Sequence, residues 1–203
     1  MSITKFYEQI EEAPYIQPDI YGLSSLGILL NYLSKVDKNR FGEYNEEFIN
    51  DFSDVMLEAS QAMAERLEYD TFTGLVCMLN YFVLTEQREN TIKVTDLLQK
   101  VTQELYEKQE LNNLELAHGV CGIIAVMAKA IIFLQKNAIT DKVEGYKNTL
   151  QLITNHVINQ KGEIGNFYFP FTVGATTSRL AWCYGDLSVC LYCSYLGSIS
   201  FTK

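Results

Sequence analysis

The chain has 203 residues, of which 48% are hydrophobic and 20% are charged, so it can bury the core of one domain. Its formal net charge of −9 argues against nucleic acid or an anionic membrane surface as a partner, because either requires a clustered positive field. Residues 1–15 lack the apolar segment of a cleavable signal, and the longest apolar run, 120–134, contains Lys129 and is too short to span a bilayer. We therefore expect a cytoplasmic protein without a membrane span.

After a short amphipathic stretch at 2–12, which two prolines end, the chain alternates between two kinds of helical segment. Runs that are apolar around the whole helix predict buried inner helices, and they occupy residues 22–32, 72–84, 118–134 and 186–196. Segments with a single apolar stripe predict outer helices that face water on one side, and they occupy residues 45–68, 91–107 and 141–159. A polar connection is expected at 35–44.

Each apolar run has a glycine within two residues of its start: Gly22, Gly74, Gly119 and Gly185. A repeat of about fifty residues, each pairing an outer helix with an inner one, is typical of stacked αα-hairpins. Inner helices that meet at their N-terminal ends would form an α/α toroid, where glycine permits close approach. A helical solenoid with glycine at each tight turn explains the periodicity equally well. Either way, we predict an all-α domain over residues 1–203 with about four hairpins, fewer than a closed ring contains.

Residues 161–179 contain no helical period, and Pro170 excludes a central strand from the aromatic run 167–171. Long loops in compact domains are frequently functional. This loop is therefore either a lid over the cavity or a connection that packs its aromatic side chains on neighbouring helices.

The odd number of cysteines, five, together with the missing export signal, indicates reduced thiols. Four of them are expected to pack as small buried hydrophobes: Cys77, Cys121, Cys190 and Cys193. Cys190 and Cys193 have a CxxC spacing, but no second such pair lies nearby to complete a metal site. Cys183 differs because it lies where the loop meets the last apolar run, beside Tyr184. A thiolate there can hold a metal or act as a nucleophile.

Three further residues are candidates for chemistry, and each has a structural alternative. His118 precedes the third inner helix, where an imidazole can exchange protons near neutral pH or serve a purely structural role. Asp70 lies at the mouth of the second inner helix, where aspartate is also a common helix cap. Arg179 lies four residues before Cys183 and would stabilise a thiolate or form a surface salt bridge. We interpret His156, in an outer helix, as structural.

Two segments, 178–185 (SRLAWCYG) and 118–122 (HGVCG), together with the glycine-led helices at 22–27 and 74–75, resemble the lanthionine synthetase C-like (LanC-like) family. The likeness spans residues 21–197. It implies an α/α toroid whose cavity holds a zinc ion bound by two cysteines and one histidine. Zinc lowers the pKa of a cysteine thiol in a precursor peptide, and the thiolate adds to dehydroalanine or dehydrobutyrine to close a thioether ring. A dehydratase is the partner protein that this chemistry implies.

The resemblance also implies roles for individual residues. By motif position, Cys183 matches the first zinc-binding cysteine and His118 matches the histidine proposed as acid and base. Tyr184 and Arg179 match neighbours in the active site, and Asp70 matches an aspartate of the cavity. The expected catalytic set is therefore His118, Tyr184, Arg179 and Asp70, with Cys183 as the metal ligand.

The chain departs from the family pattern after Gly185. The family's second and third zinc ligands form an adjacent Cys-His-Gly motif, and no such motif follows Gly185 in these 203 residues. We therefore expect an incomplete zinc site and a ring that is incomplete at its C-terminal end. The chain would then be a fragment, be completed by a partner, or be a degenerate relative that kept the cavity and lost the metal.

Three functions follow, in decreasing order of support. The first is a LanC-like, zinc-dependent cyclase whose activity is impaired in this chain. The second is a non-catalytic relative whose acidic, aromatic-rimmed cavity binds a leader peptide or a partner. The third is carbohydrate processing by paired carboxylates, for which only Asp70 and Asp186 are suitably placed.

Overall fold

A computed structural model of the chain describes residues 18–162, 168–175, 178, 185–186, 189–190, 197 and 199. Within these residues there are six α-helices and one isolated antiparallel bridge, between Asn113 and Thr172. The helices are α1 (Leu23–Val36), α2 (Lys38–Glu65), α3 (Leu75–Leu84), α4 (Arg88–Glu107), α5 (Val120–Lys136) and α6 (Val143–Ile158). The predicted all-α class is confirmed.

The helices form two layers that alternate along the chain. In one layer α3 packs between α1 and α5, and in the other α4 packs between α2 and α6. Each helix of the first layer also packs on the helix that follows it. This is the arrangement expected of stacked αα-hairpins, and it places the predicted inner helices side by side.

The core lies around α3 and α5, as their sequences predict. Eight of the ten residues of α3 and twelve of the 17 residues of α5 are buried. The outer helices bury only one stripe each, such as Val94, Leu98, Val101 and Leu105 in α4. Helices that are apolar all round therefore lie inside, and striped helices cover them.

Helix α1 contradicts the prediction that it is buried on all sides. Leu29, Tyr32 and Val36 are 52%, 63% and 69% exposed. The reason is position in the layer, because among the described helices α1 packs mainly on α2 and α3. A helix at the end of a layer keeps one side uncovered however apolar its sequence is.

The prediction of a polar connection at 35–44 is also wrong. Helix α2 begins at Lys38, directly after Asp37, whose side chain accepts a hydrogen bond from the backbone N–H of Arg40 at 3.2 Å. Asp37 is thus the one non-helical residue between α1 and α2. The first turns of α2 are exposed, and an exposed turn needs no apolar residue to be helical.

Glycine opens three of the inner helices, as predicted: Gly22, Gly74 and Gly119 are the N-cap residues of α1, α3 and α5. The predicted helix at 2–12 and most of the predicted run at 186–196 lie outside the described residues. None of the described helices combines the length and the hydropathy that a bilayer crossing requires.

Two of the four cysteines predicted to pack in the core do so. Cys77 is 5% exposed and Cys121 is fully buried. Cys190 contradicts the prediction because it is exposed, while its neighbour Val189 is buried at 7% exposure. The chain at this point turns one face to the core, and Cys190 lies on the other. Cys193 falls outside the described residues.

The thiols should therefore differ in reactivity. Burial raises the pKa of the Cys77 thiol to about 11, although a hydrogen bond with Ser24 opposes the shift. At pH 8 roughly one Cys77 in a thousand is then a thiolate, which is the reactive form. We expect iodoacetamide to modify Cys190 well before Cys77 and Cys121 in the native protein, and all three alike in guanidinium chloride, as followed by peptide mass spectrometry. Equal native rates for Cys77 and Cys190 would contradict this expectation.

Candidate active site

The candidate site is built from two loops that enter neighbouring inner helices, one before α3 and one before α5. In the first loop, Asp70 Oδ1 accepts hydrogen bonds from the backbone N–H groups of Phe72, at 2.6 Å, and Thr73, at 3.0 Å. Asp70 therefore caps the turn, while Gly74 is the N-cap of the helix itself. This arrangement uses one carboxylate oxygen of Asp70 and leaves the other for a different partner.

Hydrogen bonds hold the second loop against the first. The backbone N–H of Thr71 donates to Ala117 O at 3.1 Å, and its hydroxyl Oγ1 donates to Leu116 O at 2.8 Å. These bonds place residue 118 beside residue 70, although the two are 48 residues apart in sequence. The close approach thus depends on backbone pairing as well as on the two side chains.

His118 is paired with Asp70 through its Nδ1 atom and Asp70 Oδ2. A carboxylate oxygen accepts, so Nδ1 donates; in the neutral ring Nε2 then keeps its lone pair. The Phe72 ring packs against the imidazole with a centroid separation of 5.4 Å. The His118 side chain is 52% exposed and that of Asp70 is 25% exposed. The hydrogen bond to Asp70 therefore fixes the tautomer of His118, and the exposed part of the imidazole remains accessible.

The sequence indicated Asp70 and His118 but missed what surrounds them. The Phe72 ring lies between the rings of His118 and Tyr21 and stacks on that of Tyr21, with 6.4 Å between the Tyr21 and Phe72 centroids. The backbone N–H of Ile20 also donates to Phe72 O at 3.0 Å. The loop before α1 therefore joins the two loops of the site.

A repeated signal in the sequence marks these loops. Asp19 is buried at 3% exposure, and its Oδ1 accepts from the N–H of Tyr21 at 2.9 Å, as Asp70 does in the next repeat. An acidic residue stands three or four positions before the glycine of the first three inner helices: Asp19, Asp70 and Glu115. Comparing the residues just before these glycines would have drawn attention to Asp19.

Asp186 has a structural partner in the described loop 168–175. Its carboxylate accepts from the backbone N–H groups of Tyr168, at 3.0 and 3.2 Å, and Phe169, at 2.9 Å. Phe169 packs on the core, and Tyr168 is 56% exposed. For Phe169, the structure thus favours packing over a lid. Carbohydrate processing would require the carboxylates of Asp70 and Asp186. Both accept hydrogen bonds from backbone N–H groups.

The same loop is attached to the turn that precedes His118. The backbone N–H of Leu114 donates to Phe171 O at 3.0 Å, and that of Val173 donates to Asn112 O at 2.8 Å. These bonds flank the bridge at Asn113. The loop therefore supports one side of the candidate site.

His156 is structural, as interpreted from the sequence. Its Nε2 donates to Leu111 O at 2.8 Å, and its ring contacts that of Tyr106 edge-on with a centroid separation of 5.9 Å. The His156 side chain thus stabilises the turn after α4.

Arg179, Cys183 and Tyr184 lie outside the described residues. In the part of the chain that the structure describes, no three His, Cys, Asp or Glu side chains gather as a group able to hold a metal ion. Among the residues that the structure describes, His118 and Asp70 are the potential metal ligands at the site, and they are hydrogen-bonded to each other. The described side chains therefore do not fit a zinc site by themselves.

A family model described as "Lanthionine synthetase C-like protein" matches residues 7–200. Neither the comparison with curated proteins nor that with solved structures gave a match. The match covers nearly the whole chain, and the all-helical architecture with glycine-led inner helices is consistent with the α/α toroid of that family. The chain belongs to the lanthionine synthetase C-like family.

Proposed function

We propose that this chain is a LanC-like thioether-forming protein, with its activity reduced by an incomplete zinc site, in which His118 and Asp70 move the proton of the reaction. The observation that supports this proposal is the His118–Asp70 pair itself, held between the entries to two neighbouring inner helices. The family supplies the class of reaction, and the pair supplies a half-exposed group that can both take up and release a proton.

The proposed reaction adds a cysteine S–H across the C=C bond of dehydroalanine or dehydrobutyrine. A bond forms between sulfur and Cβ, the π bond breaks, and Cα gains a proton while the thiol loses one. His118 Nε2, which carries the lone pair, accepts or returns that proton. Asp70 holds the imidazole in this tautomer and stabilises it when it becomes charged.

Zinc is part of the proposal: the family motif implies Cys183 as one of its ligands and Arg179 and Tyr184 as residues of the active site. When bound, zinc would lower the pKa of the peptide thiol. The described side chains do not make up its site, so the steps assigned to this chain involve only His118 and Asp70. The dehydrated residues arise by loss of water from serine or threonine, and a dehydratase is therefore the expected partner.

A synthetic peptide with one cysteine and one dehydroalanine tests the reaction. Cyclisation leaves the mass unchanged and removes one thiol, so the loss of N-ethylmaleimide adducts measures it. We expect slow cyclisation by the wild-type protein, a rate lowered further by roughly 10²-fold or more in His118→Asn, and little change in the matched control His156→Gln.

Absence of cyclisation would contradict the proposed activity. Peptide binding that persists in that case and survives Cys183→Ala, measured by fluorescence anisotropy, would then identify a non-catalytic peptide-binding relative. Cyclisation that His118→Asn does not slow would remove the proton-transfer role from His118 while leaving the reaction class intact.

The metal has its own test. Any zinc that the purified protein contains should be lost in Cys183→Ala and retained in Cys77→Ala, because Cys77 is buried and its pKa is raised by that burial. Elemental analysis by mass spectrometry measures the content. Zinc that stays in Cys183→Ala would contradict the assignment of Cys183, and wild-type protein without zinc would contradict a zinc-dependent activity of this chain.

A further inference from the structure

The loop before α1 presents a tyrosine ring close to the His118–Asp70 pair. The Tyr21 side chain is 82% exposed, more than any other large hydrophobic side chain among the described residues. Its ring stacks on that of Phe72, with the centroids 6.4 Å apart and an angle of 22° between the ring planes. Phe72 in turn contacts the imidazole of His118 at a centroid separation of 5.4 Å. Tyr21 and Phe72 therefore form an aromatic ledge that begins at His118 and ends in solvent.

The backbone beneath the aromatic ledge is fixed, although the Tyr21 ring is exposed. The N–H of Tyr21 donates to Asp19 Oδ1 at 2.9 Å, and Asp19 is buried at 3% exposure. The N–H of Ile20 donates to Phe72 O at 3.0 Å, and the Ile20 side chain packs on the hydrophobic core. These contacts hold the loop of Tyr21 against that of Phe72. The ledge is thus largely formed before a ligand arrives, which lowers the entropic cost of binding.

A purely structural role explains little of the Tyr21 ring. A side chain that stays 82% exposed removes little apolar area from water and contributes little to stability. Single exposed hydrophobic residues are normal on protein surfaces, but the ring of Tyr21 is joined through Phe72 to the imidazole of the candidate site. Tyrosine offers a large, rigid contact area at a low cost in conformational entropy, and it is enriched at binding surfaces. The position of the ring therefore points to a ligand that also reaches His118.

The spacing of the rings matches an extended peptide. In an extended chain, side chains two residues apart lie on the same face and roughly 7 Å from each other. The Phe72 ring lies 5.4 Å from the imidazole of His118, and the Tyr21 ring lies a further 6.4 Å along the ledge. A peptide residue that reacts at His118 can therefore place the side chain two positions away over the aromatic ledge.

We propose that the aromatic ledge binds a large apolar side chain of the peptide substrate, two residues away from the dehydroalanine or dehydrobutyrine that reacts at His118. The identity of the ligand as a peptide rests on the proposed thioether-forming function. The substrate side chain packs on the exposed part of the Tyr21 ring and on Phe72, and an aromatic side chain fits best because ring pairs add to the burial of apolar area. Tyr21 is thus a specificity-determining residue that takes no part in proton transfer.

Two fluorescently labelled peptides test the aromatic ledge by binding alone, with the full chain and fluorescence anisotropy. One peptide carries phenylalanine two residues before and two residues after the reacting position, and the other carries serine at both places. Alanine replaces the cysteine and the dehydroalanine in both peptides, so neither can react. We expect the wild type to bind the phenylalanine peptide roughly tenfold more tightly than the serine peptide. Tyr21→Ala should reduce this preference to about twofold or less, whereas Tyr21→Phe should retain it because the ring remains.

The matched control is Tyr32→Ala, which removes another exposed tyrosine, near the C-terminal end of α1. It should keep the preference for phenylalanine. Melting temperatures establish that the variants are folded, and that of Tyr21→Ala should change by no more than about 3 °C because the ring is exposed. The proposal is overturned if the wild type shows no preference between the two peptides, if folded Tyr21→Ala keeps the preference, or if Tyr32→Ala loses it as well.

Cyclisation of the corresponding reactive peptides separates this inference from the proposed function. For the phenylalanine peptide, Tyr21→Ala should raise KM by about tenfold and change kcat by no more than about twofold, because contact with a flanking side chain is made equally in the ground state and in the transition state. A binding preference that depends on Tyr21, found without cyclisation, would support the aromatic ledge and contradict the proposed activity. Cyclisation without that preference would support the activity and overturn the ledge.

Discussion

Replacing Asp70 with asparagine is expected to slow thioether formation by roughly 10²- to 10⁴-fold while changing the free energy of unfolding by no more than about 1 kcal/mol. The asparagine side-chain oxygen can still accept from the backbone N–H groups of Phe72 and Thr73, so the turn remains capped. Its amide nitrogen, however, donates where the carboxylate oxygen accepted. The Nδ1 atom of His118 must then accept, and the proton moves to Nε2.

The reversed tautomer gives this prediction a measurement that is independent of activity. Nitrogen-15 NMR of the imidazole should place the proton on Nδ1 in the wild type and on Nε2 in Asp70→Asn. Asp54→Asn, at an exposed position of α2, is the matched control and should change neither the tautomer nor the rate. An unchanged tautomer in Asp70→Asn would contradict the described pairing, whereas a changed tautomer with an unchanged rate would contradict its role in the reaction.

Replacing Gly119 with alanine is expected to lower the free energy of unfolding by about 3 kcal/mol or more. A Cβ atom at this position would lie 2.4 Å from Asn113 O and 2.6 Å from both Asn113 Oδ1 and Glu115 N. These atoms cannot easily move. Asn113 O accepts from the N–H of Val120 at 2.8 Å, and Asn113 Oδ1 accepts from that of Glu115 at 2.9 Å. Relief of the clash would break the turn that carries His118.

Gly145→Ala is the matched control, because it makes the same glycine-to-alanine substitution at a different position. Gly145 lies inside α6, and a Cβ there would approach no closer than 3.6 Å to a neighbouring atom, Gln99 Nε2. Alanine has a better helix propensity than glycine, so this variant should be more stable by about 0.5–1 kcal/mol. Urea denaturation measures both variants. Equal stabilities would contradict the close approach at Gly119.

How far the site could be predicted depends on the range of the interactions that form it. Position before a glycine-led helix was enough to single out Asp70 and His118, because helix entries are marked locally in sequence. Their pairing was not predictable from local pattern, since it requires the loop bonds from Thr71 to residues 116 and 117. The Phe72 and Tyr21 rings were missed for the same reason.

The sequence by itself determined the alternation of buried and striped helices, the glycines that open the inner ones and the membership of a family. These properties are carried by hydrophobic period and local backbone preference, which act over one or two turns. The tertiary structure alone decided that one side of α1 is exposed, that Cys190 faces outward, and that Asp70 meets His118. These depend on which repeat packs beside which, and the hydrophobic period within one helix carries no information about contacts between residues about fifty positions apart.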